Sequence, residues 1–151
     1  MKRILTLLVL SMILPSALAG QNQGITGYSI KVLSGDRFLF TPGDKAIYRI
    51  KLQGVQAPPV SSYLGQAAKR HLGMLVSGHL IEISNLHQGN DNTITGKVTY
   101  GGSDISLRML KAGLAVETTA EIRSPSEVQQ YKNAQKQARD RQLGIWKERI
   151  R

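Results

Sequence analysis

The 151-residue chain contains no cysteine. Disulfides, thiol catalysis and a cysteine-linked lipid anchor are therefore excluded, and the core alone must stabilise the fold. Aromatic residues are few, with two Phe and one Trp among them, so base stacking has thin support; Tyr28, Tyr48, Tyr63 and Tyr100 are candidates for it only where exposed. Acidic residues are half as numerous as basic ones, 10 against 20, giving a formal net charge of +10. An excess of that size suits polyanionic partners such as nucleic acid, anionic lipid or cell-wall polymers, or else serves solubility alone. No apolar run reaches the ~20 residues that cross a bilayer, so the mature chain is expected to lack a transmembrane segment. Internal repeats and low-complexity linkers are also missing, which leaves one domain.

The amino terminus has its own signature. Lys2 and Arg3 precede an apolar run over 4–14, then Pro15-Ser16 and Ala17-Leu18-Ala19. This is the charged, apolar, small-residue order of a secretory signal peptide, with cleavage expected after Ala19. Residues 1–19 are thus assigned to the signal peptide and 20–151 to the mature domain, periplasmic or secreted. Without Lys2 and Arg3 the count is 18 basic against 10 acidic, a net charge of +8.

Alternating apolar residues over 25–40, broken at Ser34-Gly35-Asp36, predict a hairpin in which Gly35 supplies a positive φ. Thr41-Pro42-Gly43-Asp44 is a second turn. Residues 46–52 alternate again, with Tyr48, Ile50 and Leu52 on one face and Ile47, Arg49 and Lys51 on the other. Ser61-Ser62 caps a helix that ends near Ser77-Gly78. A short strand over 79–83, a polar loop over 86–93 and a strand over 94–100 follow. The spacing then predicts a helix over 105–112, a strand over 114–116 and a last helix over 127–142. The order suggests an α+β, mainly β, domain: a five-stranded OB-fold barrel with three helices.

Five segments in order then carry a resemblance. They are Ser34-Gly35-Asp36-Arg37, the stretch from Lys51 through Gly54 and Val55 to Pro58-Pro59, Tyr63-Leu64-Gly65-Gln66-Ala67 with Leu75-Val76-Ser77-Gly78, Met109 to Ala115, and Ala134, Ala138, Gly144-Ile145-Trp146. In these the chain resembles the staphylococcal nuclease (thermonuclease-like) family across the mature sequence. The resemblance implies phosphodiester hydrolysis with calcium held by two aspartates, a glutamate acting on the attacking water, and two arginines on the phosphate. Of the metal carboxylates Asp36 is kept, and Gln56 stands for the second. Pro59 occupies the glutamate position, Lys51 the first arginine position and Thr93 the second. The resemblance therefore implies a degenerate active site.

Keeping cations while removing carboxylates turns a metal site toward an anion site. Arg37, Arg49 and Lys51 form one candidate phosphate-binding patch. Lys132, Lys136 and Arg139 line one face of the last helix and form a second; the first patch is equally readable as a solvated strand face, and a helix face such as the second is usually only solvated. Asp36 reads as a turn cap or ion-pair partner, or as a weak cation ligand. His71, His79 and His87 lack the spacing of a metal pair or a nucleophilic triad. The expected function is an exported, catalytically inactive binding module for nucleic acid, another anionic polymer or a protein partner. It needs no cofactor. Two alternatives stay open: a phosphodiesterase with a rearranged catalytic set and calcium, and a structural subunit of an envelope complex.

Overall fold

The computed structural model describes residues 24–89, 91–118, 120, 122 and 124–147, so the expected signal peptide lies outside the described residues. The elements, in order, are β1 (Ile25–Val32), β2 (Arg37–Thr41), β3 (Tyr48–Leu52), β4 (Val55–Gln56) and α1 (Tyr63–Val76). Then come β5 (Leu80–Gln88), β6 (Thr93–Tyr100), β7 (Ser103–Asp104), α2 (Ile105–Lys111), β8 (Val116–Glu117) and α3 (Pro125–Asp140). A short 3-10 turn at Gly144–Trp146 follows.

Alternation decides the sheet. Phe38 and Phe40 of β2, Ile50 and Leu52 of β3, and Ile81 and Ile83 of β5 are fully buried, while the residues between them face outward. Each such side chain contributes about 1.5–3 kcal/mol on burial. Antiparallel pairing gives the strand order β3-β2-β1-β5-β6, and a parallel pairing of β3 with β6 closes the barrel. The fold is therefore the five-stranded mixed barrel with three helices that the pattern of the chain predicts. The two-residue β7 extends the sheet beyond β6, and β4 pairs with β8 as a separate ribbon.

The caps follow their chemistry. Ser62 accepts the Gly65 N–H at the start of α1, and Ser124 accepts the Glu127 N–H ahead of Pro125. Gly78 and Gly113, both with positive φ, end α1 and α2. Asp104 caps α2 and also accepts the Tyr131 hydroxyl of α3 at 2.8 Å. Burial pushes the Asp104 carboxyl above its usual range and the Tyr131 phenol likewise, the latter pushed further up by the neighbouring Asp104 carboxylate.

Three expectations are corrected. Residues 86–88 are not loop: β5 runs on to Gln88, which pairs with Ile94 after a register shift between Ser84 and His87. A bulge there, with Asn85 at φ 52°, lets a polar segment stay in the sheet. The strand expected over 114–116 is the ribbon strand β8 at Val116–Glu117, which shares only Val116 with that range, with Ala115 buried before it. Gly35 is absent from the positive-φ glycines. Its requirement is space: a Cβ there would stand 2.5 Å from Ala68 Cβ and 2.8 Å from Ala57 Cβ, so the turn packs directly against α1.

Candidate functional site

The outer face of the β2–β3 hairpin gathers the cations. Arg37 and Lys51 are direct cross-strand partners, and Leu39 faces Arg49. Because side chains two residues apart share a face, Arg49 and Lys51 stand on one side of β3, together with Arg37 opposite. The closing pair adds a relation invisible in the chain order: Arg49 registers with Thr93, and Lys51 with Thr95. Thr93, the position that the resemblance gives to a second arginine, is buried. An arginine thus stands beside that position, one strand over.

Arg37, Arg49 and Lys51 border a cleft of about 750 Å³, shared with Ser34, Asp36, Gln56, Pro59 and Asp91. Its floor is the β1–β2 turn, in which the N–H groups of Leu33 and Ser34 both donate to the Arg37 carbonyl at 2.9 and 3.1 Å. Asp36 in that turn is only 5% exposed and accepts the Ser34 hydroxyl at 2.6 Å. Ser34, just before Gly35, therefore serves as a hydrogen-bond donor to the Asp36 carboxylate.

The opposite wall is the proline loop, braced by the first turn of α1. The Ser62 hydroxyl donates to the Pro59 carbonyl at 2.8 Å, and the Gln66 amide donates to the Val60 carbonyl at 2.6 Å. A Cβ on Gly65 would lie 1.9 Å from the Pro59 carbonyl oxygen, so helix and loop are in direct backbone contact. Gln56 of β4 is exposed at the rim.

One cleft residue escaped the reading of the chain. Asp91 belongs to the turn between β5 and β6, which the Gly89 N–H ties to the Thr93 carbonyl at 2.7 Å. Its carboxylate is exposed, and neighbouring Thr93, with Arg37 adding to the effect, holds its pKa below the usual range. Nothing local in the sequence joins residue 91 to residue 37; only barrel closure does. Among the described residues, no three His, Asp or Glu side chains are grouped so as to hold a metal ion together.

The other candidates lie elsewhere. No residue of α3 borders the cleft. There Lys136 pairs with Asp140 at 2.6 Å, the Arg139 guanidinium lies 4.4 Å from the centre of the Trp146 ring, and Lys132 is exposed. His71 is half-buried on α1, and burial, reinforced by Arg108, holds its pKa below the usual value. His79 stacks on Tyr100 with ring centres 4.2 Å apart, and His87 stands exposed with Nδ1 2.7 Å from the Asn85 carbonyl. Tyr28, Tyr63 and Tyr100 are exposed, Tyr63 the most at 81%, whereas Tyr48 packs against the core.

Comparison with known proteins agrees with the barrel. The family model described as staphylococcal nuclease homologue matches residues 49–148. An uncharacterized 38.1 kDa protein of Capnoides sempervirens is 31% identical over 117 residues, covering 75% of this chain and 33% of that protein. An uncharacterized endonuclease of Haemophilus influenzae is 27% identical over 118 residues, covering 78% of this chain and 64% of that protein. The chain thus spans a third of the first relative and just under two thirds of the second.

Proposed function

Because the chain belongs to the staphylococcal nuclease homologue family, we propose that it binds the phosphate backbone of nucleic acid through Arg37, Arg49 and Lys51. The convergence of those cations on one cleft carries the reading. A phosphate between them would accept charge-assisted hydrogen bonds, and the arginines can offer paired donors.

The same reading holds that the calcium-dependent hydrolysis implied by the resemblance is lost. Calcium takes six to eight oxygen ligands and favours carboxylates. Here Asp36 and Asp91 share the cleft with Arg37, Arg49 and Lys51, and Gln56 brings only a neutral oxygen. That donor set does not fit the ion. At the position of the water-activating glutamate, Pro59 has no proton acceptor on its side chain. No hydrolytic step is therefore assigned to the site.

Export belongs to the proposal as well. The order of residues 2–19 supports a signal peptide, a mature chain beginning at Gly20, and action in a periplasm or outside the cell.

The test is binding of a labelled oligonucleotide to the mature protein, in chelator, across a salt titration. Affinity should fall steeply with salt, and each of Arg37→Ala, Arg49→Ala and Lys51→Ala should shallow the slope by about one. Turnover of DNA that vanishes in chelator and in Asp36→Ala would overturn the loss of catalysis. Salt-resistant binding to an envelope protein, with none to nucleic acid, would favour the structural-subunit reading instead.

A further inference from the structure

We propose that Asp91 tunes the selectivity of the cleft, shifting its preference from terminal phosphate monoesters and inorganic phosphate toward the singly charged internal phosphodiester. The inference rests on the reading of the cleft as a phosphate site.

Counted formally, Arg37, Arg49 and Lys51 bring three positive charges to the cleft, and Asp36 and Asp91 bring two negative ones. The balance is +1, which matches a phosphodiester. The two carboxylates differ in what they can do. Asp36 is buried and held by the Ser34 hydroxyl in the floor, whereas Asp91 is exposed on the rim, where an incoming anion meets it.

Asp91 is also held in place. Gly89 N–H closes its turn onto Thr93, Gln88 pairs with Ile94 just behind, and Asn92 takes the left-handed conformation at φ 57°. Arg37 is close enough to influence the carboxylate. The chain thus keeps a fixed negative charge beside one of its own phosphate-binding cations. A monoester carries about −1.5 to −2 at neutral pH, with its second pKa near 6. Its added charge is repelled by Asp91, and that repulsion offsets part of the attraction to the three cations.

Asp91→Asn raises the formal balance to +2 and keeps a side-chain oxygen that can accept from the turn, so the barrel should fold unchanged. The experiment uses the mature protein and a labelled oligonucleotide, displaced in parallel by thymidylyl-thymidine, by thymidine monophosphate and by inorganic phosphate, in chelator. In Asp91→Asn the preference should move toward the monoester by about fivefold, the scale of one added charge interaction near a protein surface. Arg49→Ala separates the two levels of argument. An unchanged preference in Asp91→Asn, with oligonucleotide binding lost in Arg49→Ala, overturns the selectivity role and leaves the phosphate reading standing. Binding untouched by Arg49→Ala overturns both.

Discussion

Arg37 and Lys51 face each other directly across the β2–β3 ladder. Like charges in such a pair oppose the strands' association by about 0.2–1 kcal/mol. A phosphate held between the two would relieve that repulsion. Arg37→Thr should therefore raise the midpoint of urea unfolding in ligand-free protein while weakening oligonucleotide binding. A variant that loses both stability and binding would contradict the trade.

Gly35→Ala tests the packing of the cleft floor. The added methyl meets Ala68 and Ala57 well inside contact distance, and overpacking of this kind costs about 1–3 kcal/mol. Denaturant titration should show that loss. Because Asp36 is the next residue, a solved structure of the variant should show the Ser34–Asp36 hydrogen bond displaced. A stability equal to wild type would mean that the turn and α1 can separate without penalty.

Tyr131→Phe probes the tie between α3 and the cap of α2. Removing the hydroxyl leaves Asp104 short of one donor in a buried site, a loss of about 1–3 kcal/mol. The pH dependence has a definite sign. The folded state keeps the Tyr131 proton well above pH 10, where the unfolded chain releases it. The wild type must therefore lose stability as pH rises beyond 10, and the variant should lose less. Thermal midpoints measured from pH 8 to 11 decide it; parallel curves would contradict the buried phenol.

His71 gives the opposite edge. Its folded pKa lies below the usual 6.5, so the unfolded chain takes up a proton that the native state resists. Stability should decline as pH falls from about 7 through the folded value, and His71→Gln should flatten that part of the curve. Unfolding measured between pH 4.5 and 7.5 would show it, and an unchanged slope would rule His71 out as the source.

Gln56→Asp adds a carboxylate to the cleft that holds Asp36 and Asp91. The formal balance then falls from +1 to zero. Oligonucleotide affinity in chelator should drop by about fivefold, and titration with calcium should reveal an ion affinity higher than that of the wild type. Equal calcium responses in the two proteins would contradict the mismatch argued for the present donor set.

Much of this protein is written in local chemistry. Period-two alternation sets β2 and β3, Ser62 and Ser124 cap their helices, and Gly78 and Gly113 stop theirs, because each signal acts within a few residues; β1 forms where alternation is read, but Tyr28 and Ile30 face outward. The same nearness makes Pro59 and Gln56 informative: a side chain without a proton acceptor or a charge lacks them in any fold. Tertiary structure decided the rest. Closure of β3 on β6 places Arg49 beside Thr93 and brings Asp91 to a cleft with Arg37, across separations that no periodicity encodes. The polar stretch through Gln88 reads as loop until a bulge shows how it stays paired, and Gly35 reads as a turn glycine until Ala68 is found against it. Backbone conformation answers to neighbours along the chain. Which charges meet, and which glycine has no room, depends on what the barrel folds against it.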